Sequence, residues 1–262
     1  MTYQIEDCKK YLSIAKEAAT TAGEYLQKAS KSRVKIISEP DRDVKLEADI
    51  ESEKIILNIL QGKSSFPILT EEQGFVNVSN ATEEEKYKWI VDPLDGSMNF
   101  SRGVDVCCIS IALWKNSNPI LGVVYDFNRN EYFTGIVNEG AWLNGNPITT
   151  SKVSKKSKSV LATGFPVSMD YSKKALSSFA QDIRKYKKIR MIGSAALSLA
   201  YVACGRFDIY HEKNIKIWDV AAGLAIVQAA GGLINWSTEI KNNNTITVYA
   251  SNHLLPAVEN KQ

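Results

Sequence analysis

Trp89-Ile90-Val91-Asp92-Pro93-Leu94-Asp95-Gly96-Ser97 is the stretch that decides the reading of this chain. An apolar run of this kind is a buried strand, and it delivers Asp92 to its carboxyl end. Pro93 predicts a turn, and Gly96 permits unusual backbone angles or the close approach of a ligand. Asp92 and Asp95 are three residues apart, so a turn aims both carboxylates at one point. Gly96 and Ser97 then offer backbone N–H groups at a helix start, where phosphate oxygens are readily bound. Taken alone, such a string is only a turn with capping carboxylates, so the rest of the chain must decide between the two readings.

Upstream, Ile5, Cys8, Leu12, Ala15, Ala19, Ala22 and Leu26 are spaced alternately three and four apart, which predicts a long amphipathic helix. A basic segment runs from Lys28 to Lys35, and a second helix fits Glu47 to Leu60. Phe66 to Thr70 reads as a short strand followed by the acidic pair Glu71-Glu72. Downstream, strands fit Val106 to Trp114, Ile120 to Phe127 and Glu131 to Val137, with polar turns between them. Asn144-Gly145 signals a hairpin. The Ser/Lys-rich stretch Thr149 to Ser159 marks a boundary, dividing the chain into an α+β part (1–150) and an α/β part (151–262). In the second part, strands fit Val160 to Thr163, Ile189 to Ile192, Phe207 to Tyr210, Gly232 to Trp236 and Thr245 to Ala250. Helices fit Ser172 to Tyr186, Ser194 to Cys204, Val220 to Ala230 and a short C-terminal piece. The fold class is mixed α+β and α/β, with sheets covered by helices.

Composition narrows the function. The chain has 262 residues, 44% apolar and 23% charged, which excludes a disordered chain, a collagen-like chain and a small disulfide scaffold. Its 32 basic and 29 acidic residues leave a net charge of +3, which calls for neither nucleic acid nor a membrane as partner. Cys8, Cys107, Cys108 and Cys204 have no Cys-x-x-Cys spacing, so reduced thiols in the cytoplasm are expected rather than a zinc site or disulfides. The acidic N-terminus lacks the apolar core of a signal peptide.

Two further acidic sites change the weight of the first. Glu71 follows a strand, and Asp219 stands in Ile217-Trp218-Asp219-Val220-Ala221-Ala222-Gly223 just before an Ala-rich helix, where its simplest role is an N-cap. Strand-end acids combined with an aspartate at a helix start resemble the inositol monophosphatase family, within the fructose-1,6-bisphosphatase-like superfamily of metal-dependent, lithium-sensitive phosphatases. The D-P-[IL]-D-G-[TS] motif matches Asp92 to Ser97, and W-D-x-A-[AG] matches Trp218 to Ala222. G-A-[WF]-x-N-G matches Gly140 to Gly145, and G-[ST]-A-A-L matches Gly193 to Leu197.

The resemblance implies a layered αβαβα sandwich, a homodimer, and metal ligands at Glu71, Asp92, Asp95 and Asp219 with the Leu94 carbonyl. It implies two or three Mg²⁺ ions, with Mn²⁺ as a substitute. Glu71, Ser97 and Asp49 would act on the attacking water. Asp95, Gly96, Ser97 and Asp219 would meet the phosphate end of the substrate, and Gly193, Ser194, Ala195 and Glu212 its alcohol. Where the family has D-x-V-T-x-x-D, this chain has Lys45-Leu46 in place of Val-Thr, which removes a hydroxyl.

Physics asks for metal independently. Two carboxylates ~4 Å apart repel by roughly 4 kcal/mol at an effective dielectric of ~20, so a cluster of four protonates or splays unless cations fill it. Oxygen donors without His or Cys suit Mg²⁺. The expected activity is hydrolysis of a phosphate monoester on a small polyol, sugar or nucleotide, inositol 1-phosphate first. The alternatives are a 3′(2′),5′-bisphosphate nucleotidase or another sugar-phosphate phosphatase of the same superfamily or, in a different class, a protein that binds RNA or the transcription machinery through Lys152, Lys155, Lys156 and Lys158 or through the basic run Arg184 to Arg190.

Overall fold

Apolar side chains three and four residues apart build the first helix. In α1 (Ile5–Ala29), Ala15, Ala18, Ala19, Ala22 and Leu26 are fully buried. The computed structural model describes residues 5–32, 34–39, 44–76, 87–165, 170–237 and 244–255. A small antiparallel pair, β1 (Ile36–Ser38) and β2 (Lys45–Leu46), leads into α2 (Glu47–Lys63). The pattern of apolar residues gave no hint of this pair, because two- and three-residue strands carry no period. Next come β3 (Ile68–Thr70), β4 (Gly74–Val76), β5 (Tyr87–Asp95) and the short α3 (Ser97–Ser101). The strand-rich middle follows as β6 (Cys108–Lys115), β7 (Asn118–Asp126), β8 (Glu131–Ile136), β9 (Gly140–Leu143) and β10 (Asn146–Ile148). Asn144 and Gly145 both have positive φ (50° and 81°), as a two-residue hairpin turn of this sequence requires.

After Ile148 the chain leaves this sheet and builds a second. Its elements are β11 (Val160–Ala162), α4 (Lys173–Ile183), β12 (Lys188–Arg190), α5 (Ala195–Ala203), β13 (Ile209–Lys216), α6 (Ile217–Ala229), β14 (Leu233–Ser237) and β15 (Thr245–Ser251). The first sheet runs β10-β9-β8-β7-β6-β5-β3-β4, with β3 and β5 parallel, and the second runs β12-β11-β13-β15-β14. One core fills the space between α1, α2 and the first sheet. A second lies between that sheet's other face, α5, α6 and the second sheet, and a small third underlies α4. The layers are therefore helix, sheet, helix, sheet, helix, as expected. Among the described residues no helix is long and apolar enough to cross a membrane, and all four cysteines are free.

The middle helix layer sits unusually close to the first sheet. Gly122 on β7 and Gly135 on β8 are register partners. A Cβ on Gly122 would lie 2.3 Å from the Ala222 carbonyl oxygen, and one on Gly135 would lie 2.9 Å from Ile226 Cα. The glycine pair is the bed of α6. On the other side, a Cβ on Gly223 would meet Leu199 of α5 at 2.4 Å.

Three departures from the expected bounds bear on the site. The strand that carries Asp92 does not turn at Pro93 but continues to Asp95. A register shift against β6 between Asp92 and Asp95 accommodates the proline, which has no N–H to give the ladder. The strand starting near Phe207 runs on to Lys216 because it pairs antiparallel with β15. The last long helix begins at Ile217, so Asp219 lies inside its first turn and Lys216 is the cap. The expected C-terminal helical piece lies largely outside the described residues.

Candidate active site

The bulge in β5 ends at Asp95, which lines a cavity of about 760 Å³. Asp95 is only 8% exposed and reaches across from the first sheet to the second half of the chain. Its Oδ2 accepts from the Ser194 hydroxyl (2.6 Å) and the Ala196 N–H (2.7 Å), and the Cys108 thiol lies 3.7 Å away. Ser194 is also the N-cap of α5, accepting from the Leu197 N–H. Asp92 is buried behind the cavity wall, with Oδ1 accepting from the Leu94 N–H at 3.0 Å. Gly96 has φ +95°, and a Cβ there would lie 2.8 Å from the Val106 carbonyl oxygen, so glycine is required.

Ser97 opens α3. Its Oγ stands 2.7 Å from Asp49 Oδ1 and 2.9 Å from the Leu94 carbonyl oxygen. Asp49 is the third residue of α2, and its other oxygen accepts from the Leu46 N–H at 2.6 Å. The loss of a hydroxyl at position 46 therefore leaves this half of the cap intact. Glu71 follows β3 in an exposed turn, and Asp219 is half-buried on the first turn of α6. Both line the cavity with Asp95, Ser97, Gly193, Ser194, Ala195 and Glu212. Glu212 is 7% exposed in mid-strand, with Oε2 accepting from the Tyr210 hydroxyl at 2.9 Å. It thus lies within a strand that runs past the expected end at Tyr210. A Cβ on Gly164 would lie 2.7 Å from its carboxylate.

Charges crowd this space. Asp92 titrates well above the usual carboxylate range, first because it is buried and then because Glu71, Asp95 and Asp219 repel its ionised form. Asp219 is raised in the same way, by burial and then by Glu71, Asp95 and Glu212. Burial pushes Asp95 up to about 6 against the hydrogen bonds from Ser194, Ala196 and Ala195, which lower it. Glu212 is pushed up to about 7, again by burial first.

Carboxylates raised in the folded state hold protons that the unfolded chain has already released. Stability of the ion-free protein therefore falls as pH rises from about 4 through 7. Two units on one buried group amount to about 3 kcal/mol, and each kcal/mol moves Tm by about 2–4 °C for a chain of this size. Protein treated with a chelator should lose about 5–10 °C in Tm between pH 5 and pH 8, and Mg²⁺ should restore more of it at pH 8. A Tm flat or rising across that window would show that the fold does not raise the proton affinity of these acids.

Two residues that support the site escaped the sequence reading. Glu53 is 1% exposed and accepts from the Thr70 hydroxyl, the Glu72 N–H (3.1 Å) and the Gln73 side chain (2.7 Å), so it fixes the loop that carries Glu71. The signal was there: an acid four residues after Asp49 on the buried face of α2. Asn99 joins α3 to the second half of the chain, its Nδ2 donating to the carbonyls of Val106 and Ile192 (2.8 Å each). The indole N–H of Trp218 is buried on the cavity wall without a hydrogen-bond partner among the described residues.

The donors whose charges act on one another, Glu71, Asp92, Asp95 and Asp219, are all oxygens. They belong to the class that Mg²⁺ prefers and Zn²⁺ does not. Among the described residues no three such side chains are grouped closely enough, as they stand, to hold one ion. Carboxylates that repel one another in this way would be relieved by a cation placed among them.

Comparison with known proteins bears on this arrangement. A family model described as the inositol monophosphatase family matches residues 7–257. The chain is 38% identical over 237 residues to an inositol-1-monophosphatase of Synechocystis, covering 87% of this chain and 79% of that protein. It is 37% identical over 232 residues to a Xylella fastidiosa protein named Nus factor SuhB, with 86% and 82% covered. The solved structure of SuhB from Bartonella henselae matches with a TM-score of 0.83 at 31% identity, over 94% of this chain and 95% of that one. Inositol monophosphatase from Anabaena matches with a TM-score of 0.78 at 34% identity, over 95% and 92%.

Proposed function

The chain belongs to the inositol monophosphatase family, and from that premise we propose that it is a Mg²⁺-dependent, lithium-sensitive phosphate monoester hydrolase acting on inositol 1-phosphate or a similar polyol phosphate. The observation that carries the reading is the convergence of carboxylates from three distant stretches. Glu71, Asp95 and Asp219 each raise the proton affinity of Asp92. A protein gains nothing from such repulsion unless a cation belongs there.

Glu71, Asp92, Asp95, Asp219 and the Leu94 carbonyl would hold the metal. Divalent ions bound there supply charge neutralisation for the phosphate and a lowered pKa for the attacking water. The Ser97 hydroxyl, hydrogen-bonded to Asp49 and the Leu94 carbonyl, would orient that water and pass its proton toward Asp49. Glu71 shares this duty from the opposite loop. Backbone N–H groups of Gly96 and Ser97 would meet the phosphate oxygens. Glu212, with Gly193, Ser194 and Ala195, lines the side of the cavity that takes the alcohol, where a carboxylate accepts hydrogen bonds from hydroxyl groups.

The reading includes a cytoplasmic homodimer. Exposed Met98, Val104 and Met191 lie on neighbouring segments tied by the Asn99 side chain, and they offer apolar surface to a second copy. Sedimentation at a monomer mass would remove the dimer.

The test is phosphate release from inositol 1-phosphate, a sugar phosphate and 3′-phosphoadenosine 5′-phosphate, with and without Mg²⁺. Turnover should require Mg²⁺ and be fastest on inositol 1-phosphate. A strong preference for the nucleotide would reassign the substrate, and no release from any of them would end the reading. The naming of relatives as Nus factors supports a second reading, a role with RNA or the transcription machinery. The exposed Arg184, Lys185, Lys187, Lys188 and Arg190 are where such a partner would meet the chain. RNA retention that is undetectable at low salt would exclude RNA as that partner.

A further inference from the structure

Six acids line the cavity (Asp49, Glu71, Glu72, Asp95, Glu212 and Asp219), and among the described residues only two lysines line it, Lys45 and Lys216. Lys45 stands in two-residue β2, directly before the cap of α2, and its ammonium is ion-paired with Glu72. The Glu72 side chain is 10% exposed and that of Lys45 41%. A nearly buried carboxylate is therefore met by a cation that reaches in from the solvent side.

Glu72 has no easy escape from the site. Its N–H is held by Glu53, whose carboxylate also holds Thr70 and Gln73, so the loop is pinned. Glu53 and Asp49 add their negative charge at Lys45, while the charge of the adjacent Glu71 acts on Asp92 and Asp219. Without the ammonium, Glu72 would be one more uncompensated acid beside the metal-binding set, and a divalent ion would be drawn to it.

We propose that the Lys45 ammonium is a built-in cation of this site, which occupies Glu72 and takes the place of one divalent ion at that end of the cavity. The inference rests on the metal-dependent reading above and deepens it. It makes the number of ions a property of residue 45, which is a lysine in this chain.

The experiment counts bound Mn²⁺ per chain by calorimetry and by electron paramagnetic resonance, on the full chain and on its variants. Circular dichroism verifies that each is folded. Lys45→Met should take up one more ion per chain than the unaltered protein. Lys45→Arg, which keeps the charge, should match the unaltered protein. Lys45→Met combined with Glu72→Gln should return to the original count. The same number of ions on Lys45→Met as on the unaltered chain overturns the proposal, as does an extra ion that survives in the double variant. If no variant and not even the unaltered protein binds Mn²⁺, the metal-dependent reading itself falls. Those results are distinguishable from one another.

Discussion

Asp95→Asn should lower kcat by about three orders of magnitude while raising the stability of the ion-free protein. The two signs come from one geometry. Asp95 is buried, and its carboxylate lies within Coulombic reach of Asp92 and Asp219. An asparagine keeps the shape, and its carbonyl oxygen still accepts from the Ser194 hydroxyl and the Ala196 N–H that bind Asp95 now. What disappears is one negative charge from a cluster that repels itself, so the metal-free chain gains about 1–3 kcal/mol above pH 7, where the wild-type group is ionised. The same lost charge removes a ligand from the proposed metal set, and the transition-state stabilisation goes with it. Thermal melts in chelator alongside phosphate-release rates in Mg²⁺ check both halves. A near-normal rate would take Asp95 out of the chemistry. A falling Tm would mean that its hydrogen bonds outweigh the repulsion.

Gly122→Val should destabilise the chain by about 3 kcal/mol or more, and activity should fall with it. Position 122 has no room for a side chain. A Cβ there would meet the backbone of Ala222, which belongs to the middle of α6 and cannot swing aside like the end of a side chain. Gly135 on the neighbouring strand leaves no room at the next contact along the helix, and Leu199 closes the opposite side against Gly223. α6 must therefore rise off the sheet as a body, carrying Asp219 in its first turn. Denaturant melts should show the loss, and the remaining folded fraction should bind Mg²⁺ more weakly. Gly62→Ala is the control. It lies in α2 with nothing within 4 Å of an added Cβ, and it should be neutral or stabilising by up to about 1 kcal/mol. Equal melts for the two variants would show that the bed of α6 tolerates a side chain.

Much of this is legible in the amino-acid sequence. The three-and-four spacing from Cys8 to Leu26 fixes the face of α1, and the acids at Asp92 and Asp95 stand out because a buried apolar run leads straight into them. What escaped the reading depends on partners distant in sequence. Pro93 reads locally as a stop, yet β6 supplies a ladder that tolerates a bulge. Glu212 reads as a strand end because the pattern of apolar residues weakens after Tyr210, whereas pairing with β15 carries the strand on. Asp219 reads as a cap because the Ala-rich run starts after it, while α6 begins two residues before it. Gly122 and Gly135 are ordinary strand glycines until their register is known. The pairing of Lys45 with Glu72 spans a helix and a strand, and no local pattern brings those two side chains together.

Asp95 leaves the first sheet and takes its hydrogen bonds from the opening turn of α5, in the second half of the chain. An ion held by Asp95 and Asp219 together would thus rivet the two halves across their seam. Loss of that ion would loosen the join as well as silence the chemistry. A protease should then find the join first in protein stripped of divalent ions, and supplying them should shut it out again.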